Sequence, residues 1–514
     1  MTRSDVDSEE VLPTRDDHQA LTLSRLEQHL AQAANILRGP IDQADFKSYI
    51  FPLLFFKRIS DVYLEEYRLA IDESGGDIDF ASFAENHRFQ IPEGAHWNDV
   101  RERTENVGQA LQQAMRSVEM ANPRTLYGIF GDTQWSNKDR LSDALLRDLI
   151  EHFSKVLLTN SLVDPDVLGQ AYEYLIKRFA DLSNKKAGEF YTPRSVVRLM
   201  VNILDPQEGE TAYDPACGTA GMLIGVVQHV KELGGKVQML YGKLFGQERN
   251  LTTSGIARMN LFLHGIEDFQ VVRGDTLRDP AFYTGDALAK FDCVIANPPF
   301  SLKLWGEDLW ASDRFGRNFA GVPPAKSADF GWLQHMIASM APKTGRLAVV
   351  LPQGSLFRMG VEGRIRETIV RRDQVEAMIG MGPNLFYGTT LAPCIWIVRD
   401  RKPGRSKGKV AFIDASTLFR RGRNQNTLEL DHVDQIVSWY RAFQDVPGKV
   451  RIVSLSDLKD QAWNMNISLY VQPESGNSGP SVAEAMANVD TQLREVENAD
   501  DKVRKHLREW GLLK

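Results

Sequence analysis

Apolar residues recur three and four positions apart along the amino-terminal part of the chain and then give way to short unbroken runs. Leu26, Leu30, Ala33 and Leu37 form one helical stripe behind Ser24-Arg25-Leu26-Glu27, which has the form of a capping box with Leu23 as its staple. Gly39-Pro40 ends that helix. Asp42 and Asp45 ahead of Phe46, Ile50, Leu53 and Leu54 signal a second helix, and helical spacing with few strand runs persists to Ala180. A helical domain over residues 1–170 is therefore expected, with packing against other parts of the molecule as its work. Its His and Tyr residues fit core or surface positions, and no catalytic constellation stands out among them.

From Thr211 the pattern alternates between short apolar runs and helices, the signature of a parallel sheet. Thr211-Ala212-Tyr213-Asp214 reads as a strand with an acidic end, followed by the small-residue turn Pro215 to Gly221 and an apolar helix. Leu244 to Glu248, Val271 to Leu277, Phe291 to Ala296 and Gly345 to Pro352 supply further strands, and the runs around Val398 and Phe412 later ones. The expected architecture is a doubly wound α/β sheet over residues 171–471. Beyond it, Gln472 to Pro480 has the composition of a flexible linker. Residues 481–514 then carry Val482, Met486, Val489, Leu493 and Val496 in alternating steps of four and three, resumed by Val503, Leu507 and Trp510. That is a coiled-coil seam, and a helix with one narrow apolar stripe needs a surface to lie against.

The chemistry concentrates at the ends of these strands. Asn297-Pro298-Pro299-Phe300 closes the fourth run. An amino group on a nucleobase is a poor nucleophile because its lone pair is delocalised into the ring. The amide oxygen of Asn297 and the carbonyl of Pro298 can each accept one of its hydrogens. Proline keeps its carbonyl and stiffens the chain, and Phe300 offers a face on which a base rotated out of its duplex can stack. A Pro-Pro turn closing a buried strand is the plain alternative. Three acids in register with the earlier strands favour the chemical reading: Asp214 before the turn at Gly218, Glu248 placed to hold ribose hydroxyls, and Asp275 with Thr276 after the third strand. The turn lacks the G-x-G-x-x-G spacing, so no dinucleotide fingerprint is present.

This set resembles the S-adenosylmethionine-dependent amino-methyltransferases of DNA, and more closely the modification (M) subunits of type I restriction-modification systems. The likeness covers most of the chain and is carried best by Gly188 to Arg194 and Asp214 to Gly221. It implies a seven-stranded Rossmann-like methyltransferase sheet with helical parts at both ends. It also implies that Glu189, Phe190, Tyr191, Thr192, Pro193 and Arg194, with Thr219, Ala220 and Gly221, surround the methionine half of the cofactor. Asp214 and Gly218 belong to the same turn, Glu248 would hold the ribose, and Asp275 the adenine. Asn297 to Phe300 would form the target-base pocket, with Phe300 standing where many relatives carry Tyr. Adenine is the expected target, because Asn rather than Ser precedes the prolines. RNA or protein glutamine as acceptor, and a scaffold without activity, remain the alternative readings.

Composition adds limits. Among 514 residues no stretch approaches a membrane span of about 20 apolar residues, and the polar start Met1 to Asp5 does not open a signal peptide, so the cytoplasm is the expected location. Cys217, Cys293 and Cys394 are isolated, which suggests neither disulfides nor a metal site. Pro393-Cys394 has the look of the nucleophile that adds to cytosine carbon 5, but Cys394 opens a strand-like run and the strand end is held by Asn297. The net charge of -7 is unfavourable for gripping DNA unaided. Either basic residues gather on one face or another subunit supplies them. Arg401 to Lys409 reads as a basic hairpin tip, and the segment from Ser301 to Lys326, rich in Trp, Phe, Lys and Arg, as a lid ordering around substrate. No stretch of a hundred residues is left for reading bases in a groove, so recognition is expected from a separate specificity (S) subunit. A second copy of the chain and a restriction (R) subunit complete the partners implied by the resemblance.

Overall fold

The computed structural model describes residues 21–182, 192–386, 389–423, 425–472 and 503. The first helix, α1 (Leu23–Ile36), is capped by the Thr22 hydroxyl, which accepts the Arg25 N–H at 3.4 Å. The cap is thus two residues earlier than Ser24, and Leu23 is inside the helix. Asp42 caps a short 3-10 turn, Gln43–Asp45, through the Ala44 N–H. The following helix, α2 (Lys47–Ser74), is 28 residues long, contains Pro52 and ends on Gly75 in the left-handed region at φ 69°. Tyr49 to Val62 are buried without interruption, so α2 is the central helix of its bundle. Within it the buried Lys57 ammonium pairs with Asp61.

The bundle core runs from Leu26 to Phe179 on α3 (Pro165–Leu182) and draws in Ile256, Met259, Phe262 and Leu263. Those four side chains belong to α6 (Leu251–Leu263), a helix that also packs on the sheet through Ala257 and Leu261. The helical part and the sheet therefore share one helix and are held by apolar burial rather than by a linker alone.

The sheet has nine strands, not the expected seven. They are β1 (Ala212–Asp214), β2 (Leu244–Glu248), β3 (Gln270–Arg273), β4 (Cys293–Ala296), β5 (Arg346–Pro352), β6 (Val375–Met381), β7 (Pro393–Arg399), β8 (Lys409–Ala415) and β9 (Val450–Ser454), in the order β3-β2-β1-β4-β5-β7-β6-β8-β9. All are parallel except β7 and β9, which run against their neighbours. β8 and β9 extend the sheet beyond β6, and the two strands that the sequence reading did not single out are β6 and β9. The apolar run of β8 pairs in parallel with β6, and the half-exposed β9 then closes the new edge. Such a weakly alternating strand carries little sequence signal.

Helices α4 (Arg194–Leu204), α5 (Gly221–Glu232) and α9 (Leu430–Ala442) cover one face, and α7 (Asp329–Ala338) and α8 (Val361–Arg371) the other. The order of strands reverses between β1 and β4, and ligands of open parallel sheets bind at the carboxyl edge beside such a reversal.

Two surface expectations are corrected. The Arg401 to Lys409 segment is not a hairpin tip, because β7 and β8 lie on opposite sides of β6 and the segment crosses over its end. Lys402 is 8% exposed and its ammonium donates to Asp373 and to the Val375 and Lys409 carbonyls, so it braces the crossover. The Ser301 to Lys326 segment is a packed cap instead of an open lid. Trp305 and Trp310 are 1% and 0% exposed and cluster with Leu277, Ala328 and Trp332. Arg317, only 2% exposed, pairs with Asp313 and donates to the Thr276 and Leu277 carbonyls. The proposed linker and seam at 473–514 lie outside the described residues apart from Val503, which is helical and exposed.

Candidate active site at the carboxyl edge of the sheet

β4 is buried along its whole length and delivers Asn297 at its carboxyl end. The Asn297 amide nitrogen donates to the Thr192 hydroxyl at 3.0 Å, which orients the side chain. Its Oδ1 is buried and accepts no hydrogen bond, and no described residue donates to the Pro298 carbonyl. A buried acceptor without a partner costs about 1–3 kcal/mol and is rare in a folded core. Asn297 Oδ1 is such an acceptor, and it stands next to the Pro298 carbonyl at the end of β4.

The residue after this motif is also held. Ser301 has a left-handed backbone at φ 49°. Its N–H donates to Asp329 Oδ1 at 2.8 Å, while Asp329 Oδ2 accepts from Arg358 at 3.0 Å. Phe300 faces Phe386, whose ring centroid lies 6.3 Å away at an interplanar angle of 60°. Phe386 escaped the sequence reading; the only signal available was an aromatic after the β6 run.

On the other side of the reversal, β1 ends on Asp214, 1% exposed, whose Oδ1 accepts the Ala216 N–H at 3.0 Å. Burial raises its pKa from 3.8 to about 8, an effect reduced by the Ala216 N–H and reinforced by the Glu248 charge. Gly218 and Ala220 turn the chain with φ of 52° and 66°, and Ala220 caps α5. A left-handed alanine costs about 1–2 kcal/mol, so the turn is held by its surroundings. The Ala220 N–H reaches the Cys217 carbonyl at 2.7 Å, and Asn260 donates to the Thr219 carbonyl at 2.8 Å. A Cβ built on Gly221 meets no atom within 4 Å, which marks open space beside the helix start.

Glu248 stands at the end of β2. Its two oxygens accept the Gly218 N–H at 3.1 Å and the Asn250 N–H at 2.7 Å, which ties the end of β2 to the glycine turn. Asp275 follows β3 and lies 3.6 Å from Arg249 and 3.8 Å from Arg278. The Thr276 hydroxyl donates to the Pro215 carbonyl at 2.6 Å, so this side chain ties the first and third loops together. Arg194, at the start of α4, pairs with Glu173 of α3. Thr192, Pro193, Arg194, Gly221 and Phe386 line a cavity of about 1130 Å³ that Asn297, Phe300, Glu248 and Asp275 do not line. Glu189, Phe190 and Tyr191 lie outside the described residues.

The cysteines take no part in this chemistry. Burial pushes the Cys293 and Cys394 thiols up to about 12, and Cys217 rises for the same reason with Asp214 and Glu248 adding to it. A thiolate nucleophile needs the opposite shift. Cys394 is the second residue of β7, fully buried opposite Leu351, and its thiol donates to the Leu351 carbonyl at 3.4 Å.

A doubly wound sheet whose reversal carries a glycine turn, an acid on the next strand and an Asn-Pro-Pro-Phe strand end has the architecture of a Rossmann-like methyltransferase. The N-6 DNA Methylase family profile matches residues 163–478, and that of the HsdM N-terminal domain matches residues 26–153. The MjaVII methylase subunit of a type I restriction enzyme from Methanocaldococcus jannaschii is 32% identical, over 88% of this chain and 78% of its own length. The HindI methylase subunit of Haemophilus influenzae is also 32% identical, over 79% of this chain and 95% of its own. Among solved structures, a type I methyltransferase subunit from Streptococcus thermophilus is 28% identical with a TM-score of 0.76, covering 88% of this chain and 100% of that one. The chain belongs to the N-6 DNA methylase family, as an adenine-specific DNA methyltransferase subunit of the type I restriction-modification kind.

Proposed function

We propose that the protein binds S-adenosylmethionine across the loops after β1, β2 and β3 and methylates the N6 amine of an adenine rotated out of duplex DNA. The observation that carries this reading is Asn297 Oδ1, a buried acceptor without a hydrogen bond at the end of β4, beside the Pro298 carbonyl, to which no described residue donates. When bound, the cofactor supplies an electrophilic methyl group on a sulfonium sulfur. Glu248, a carboxylate at the end of β2 beside the Gly218 turn, fits its ribose hydroxyls, Asp275 fits its adenine, and the open space at Gly221 admits its methionine end, bounded by Thr192 to Arg194 and Thr219 to Gly221. By the resemblance, Glu189, Phe190 and Tyr191 contribute to binding the same end of the cofactor. Asn297 and Pro298 accept the two amine hydrogens and draw the lone pair out of conjugation, and Phe300 stacks on the base. Catalysis then rests on positioning and on acceptors already in place.

The proposed division is a helical domain to residue 170, a catalytic domain from 171 to 471 and a docking segment beyond 472. Residues 473–514 are proposed to seat on a specificity subunit that reads the DNA sequence, in an assembly with a second copy of this chain and a restriction subunit. One neighbour of similar fold, with a TM-score of 0.65 at 19% identity, comes from work on complex assembly of a type I system. No helix among the described residues is long and apolar enough to cross a membrane, which agrees with work in the cytoplasm. Methyl transfer from labelled cofactor to duplex DNA, RNA and protein by the chain in complex with its specificity subunit, with mass spectrometry of the product, tests the reading. N6-methyladenine in duplex DNA is the expected product; label in RNA or protein alone, or none in any acceptor, overturns it.

A further inference from the structure

The loop after β8 is a hairpin that the proposed chemistry does not use. Arg420 and Thr427 bridge in antiparallel fashion, with N–H to carbonyl distances of 2.8 and 2.9 Å in the two directions. The turn inside is tight: a Cβ on Gly422 would lie 2.0 Å from the Gln425 carbonyl oxygen. Because β8 runs parallel to β6, and β6 to the central strands, this hairpin emerges at the same edge as Asn297.

It is also tied to the target-base pocket. The Asn426 N–H donates to the Asn384 carbonyl at 2.8 Å and its side-chain amide to the Pro383 carbonyl at 2.9 Å. The Gln425 amide donates to the Leu385 carbonyl at 2.7 Å. The next residue, Phe386, is the ring that faces Phe300. A rigid polar ladder thus connects the hairpin to one wall of the pocket.

The hairpin carries Arg420, Arg421 and Arg423, all exposed. Arg420 pairs with Glu429. Arg421 and Arg423 make no ion pair with any described residue, whereas Arg194 and Arg198 across the cavity are matched by Glu173 and Glu232. In a chain of net charge -7, two unmatched guanidinium groups held beside a base pocket are a local surplus at the place where a nucleic-acid backbone must pass.

We propose that Arg421 and Arg423 bind backbone phosphates of the target strand next to the extruded base, the Gln425 and Asn426 ladder keeping that grip in register with the Phe386 wall. This deepens the DNA methyltransferase reading and rests on it. The chemistry is guanidinium to phosphate, so the contact is indifferent to sequence and sensitive to salt. The test compares the wild-type complex with its recognition subunit against the R421Q/R423Q and R421K/R423K variants, measuring duplex binding across a salt series. The Gln variant is expected to weaken binding and to make the slope of log affinity against log salt shallower by about two, with cofactor affinity unchanged; the Lys variant restores the slope. An unchanged slope in the Gln variant overturns the proposal alone. So does loss of association with the recognition subunit at an unchanged slope, which assigns the arginines to an acidic protein partner. A wild-type complex that neither binds nor methylates duplex DNA overturns the functional reading and this site with it.

Discussion

Asn297 divides its amide between two tasks. The nitrogen is bound to Thr192, and the oxygen, which accepts no hydrogen bond, is the acceptor proposed for the target amine. Replacing Asn297 by Ala removes one of two acceptors while leaving Glu248 and the glycine turn in place. Methyl transfer by the complex is expected to fall by about a hundredfold or more, with cofactor affinity measured by calorimetry unchanged. Asp214 predicts a pH effect. Its carboxyl is neutral in the fold up to about pH 8 yet ionises near 3.8 when unfolded. The folded state therefore binds the extra proton, and stability from this group is full below about 3.8 and is lost as pH rises toward 8. In Asp214→Asn, whose amide oxygen can still accept the Ala216 N–H, the melting temperature is expected to fall less between pH 5 and 8 than in the wild type. Equal pH dependence of the two proteins would contradict the buried neutral carboxyl. Asn297, Glu248 and Asp275 were legible as residues because each ends an apolar run. Phe386 and Asp329 were not, since their roles depend on neighbours that are distant in the chain.

The cap from Ser301 to Lys326 shows how a segment with no strand or helix pattern can still be a structural element. Its indoles fill a pocket of their own, and the Trp310 Nε1 donates to the Leu277 carbonyl at 3.0 Å. Trp310→Ala is expected to destabilise the protein by roughly 3–5 kcal/mol, measured by urea unfolding, and to loosen the loop bearing Asp275, seen as weaker cofactor binding. A mobile lid would give neither effect. Aromatic and basic residues interleaved in a loop suggested nucleic acid, but Arg317 is satisfied internally by Asp313 and two carbonyls. The same lesson holds for Lys402, which composition places on the surface and burial places in the crossover. Charge counts along a segment do not reveal which charges face inward.

The molecule as a whole couples a helical bundle to a catalytic sheet through α6, whose opposite faces belong to the two cores. The proposed cofactor loops and base pocket are both on the one chain, while no described element is left over to read bases. The isolated chain is accordingly expected to bind S-adenosylmethionine but to methylate duplex DNA poorly, and addition of the specificity subunit to restore transfer in a filter assay. Robust site-specific methylation by the chain alone would falsify that division of labour. The class of fold, the strand that ends in Asn297 and the order of the acids followed from local spacing, because strand and helix periodicity and the chemistry of a motif are written in adjacent residues. Nine strands rather than seven, the packed cap, the Glu248 contact with the Gly218 turn and the hairpin at Arg421 were decided only in three dimensions. Each depends on pairing or burial between segments tens to hundreds of residues apart, where the free energy lies in contacts that no local pattern encodes.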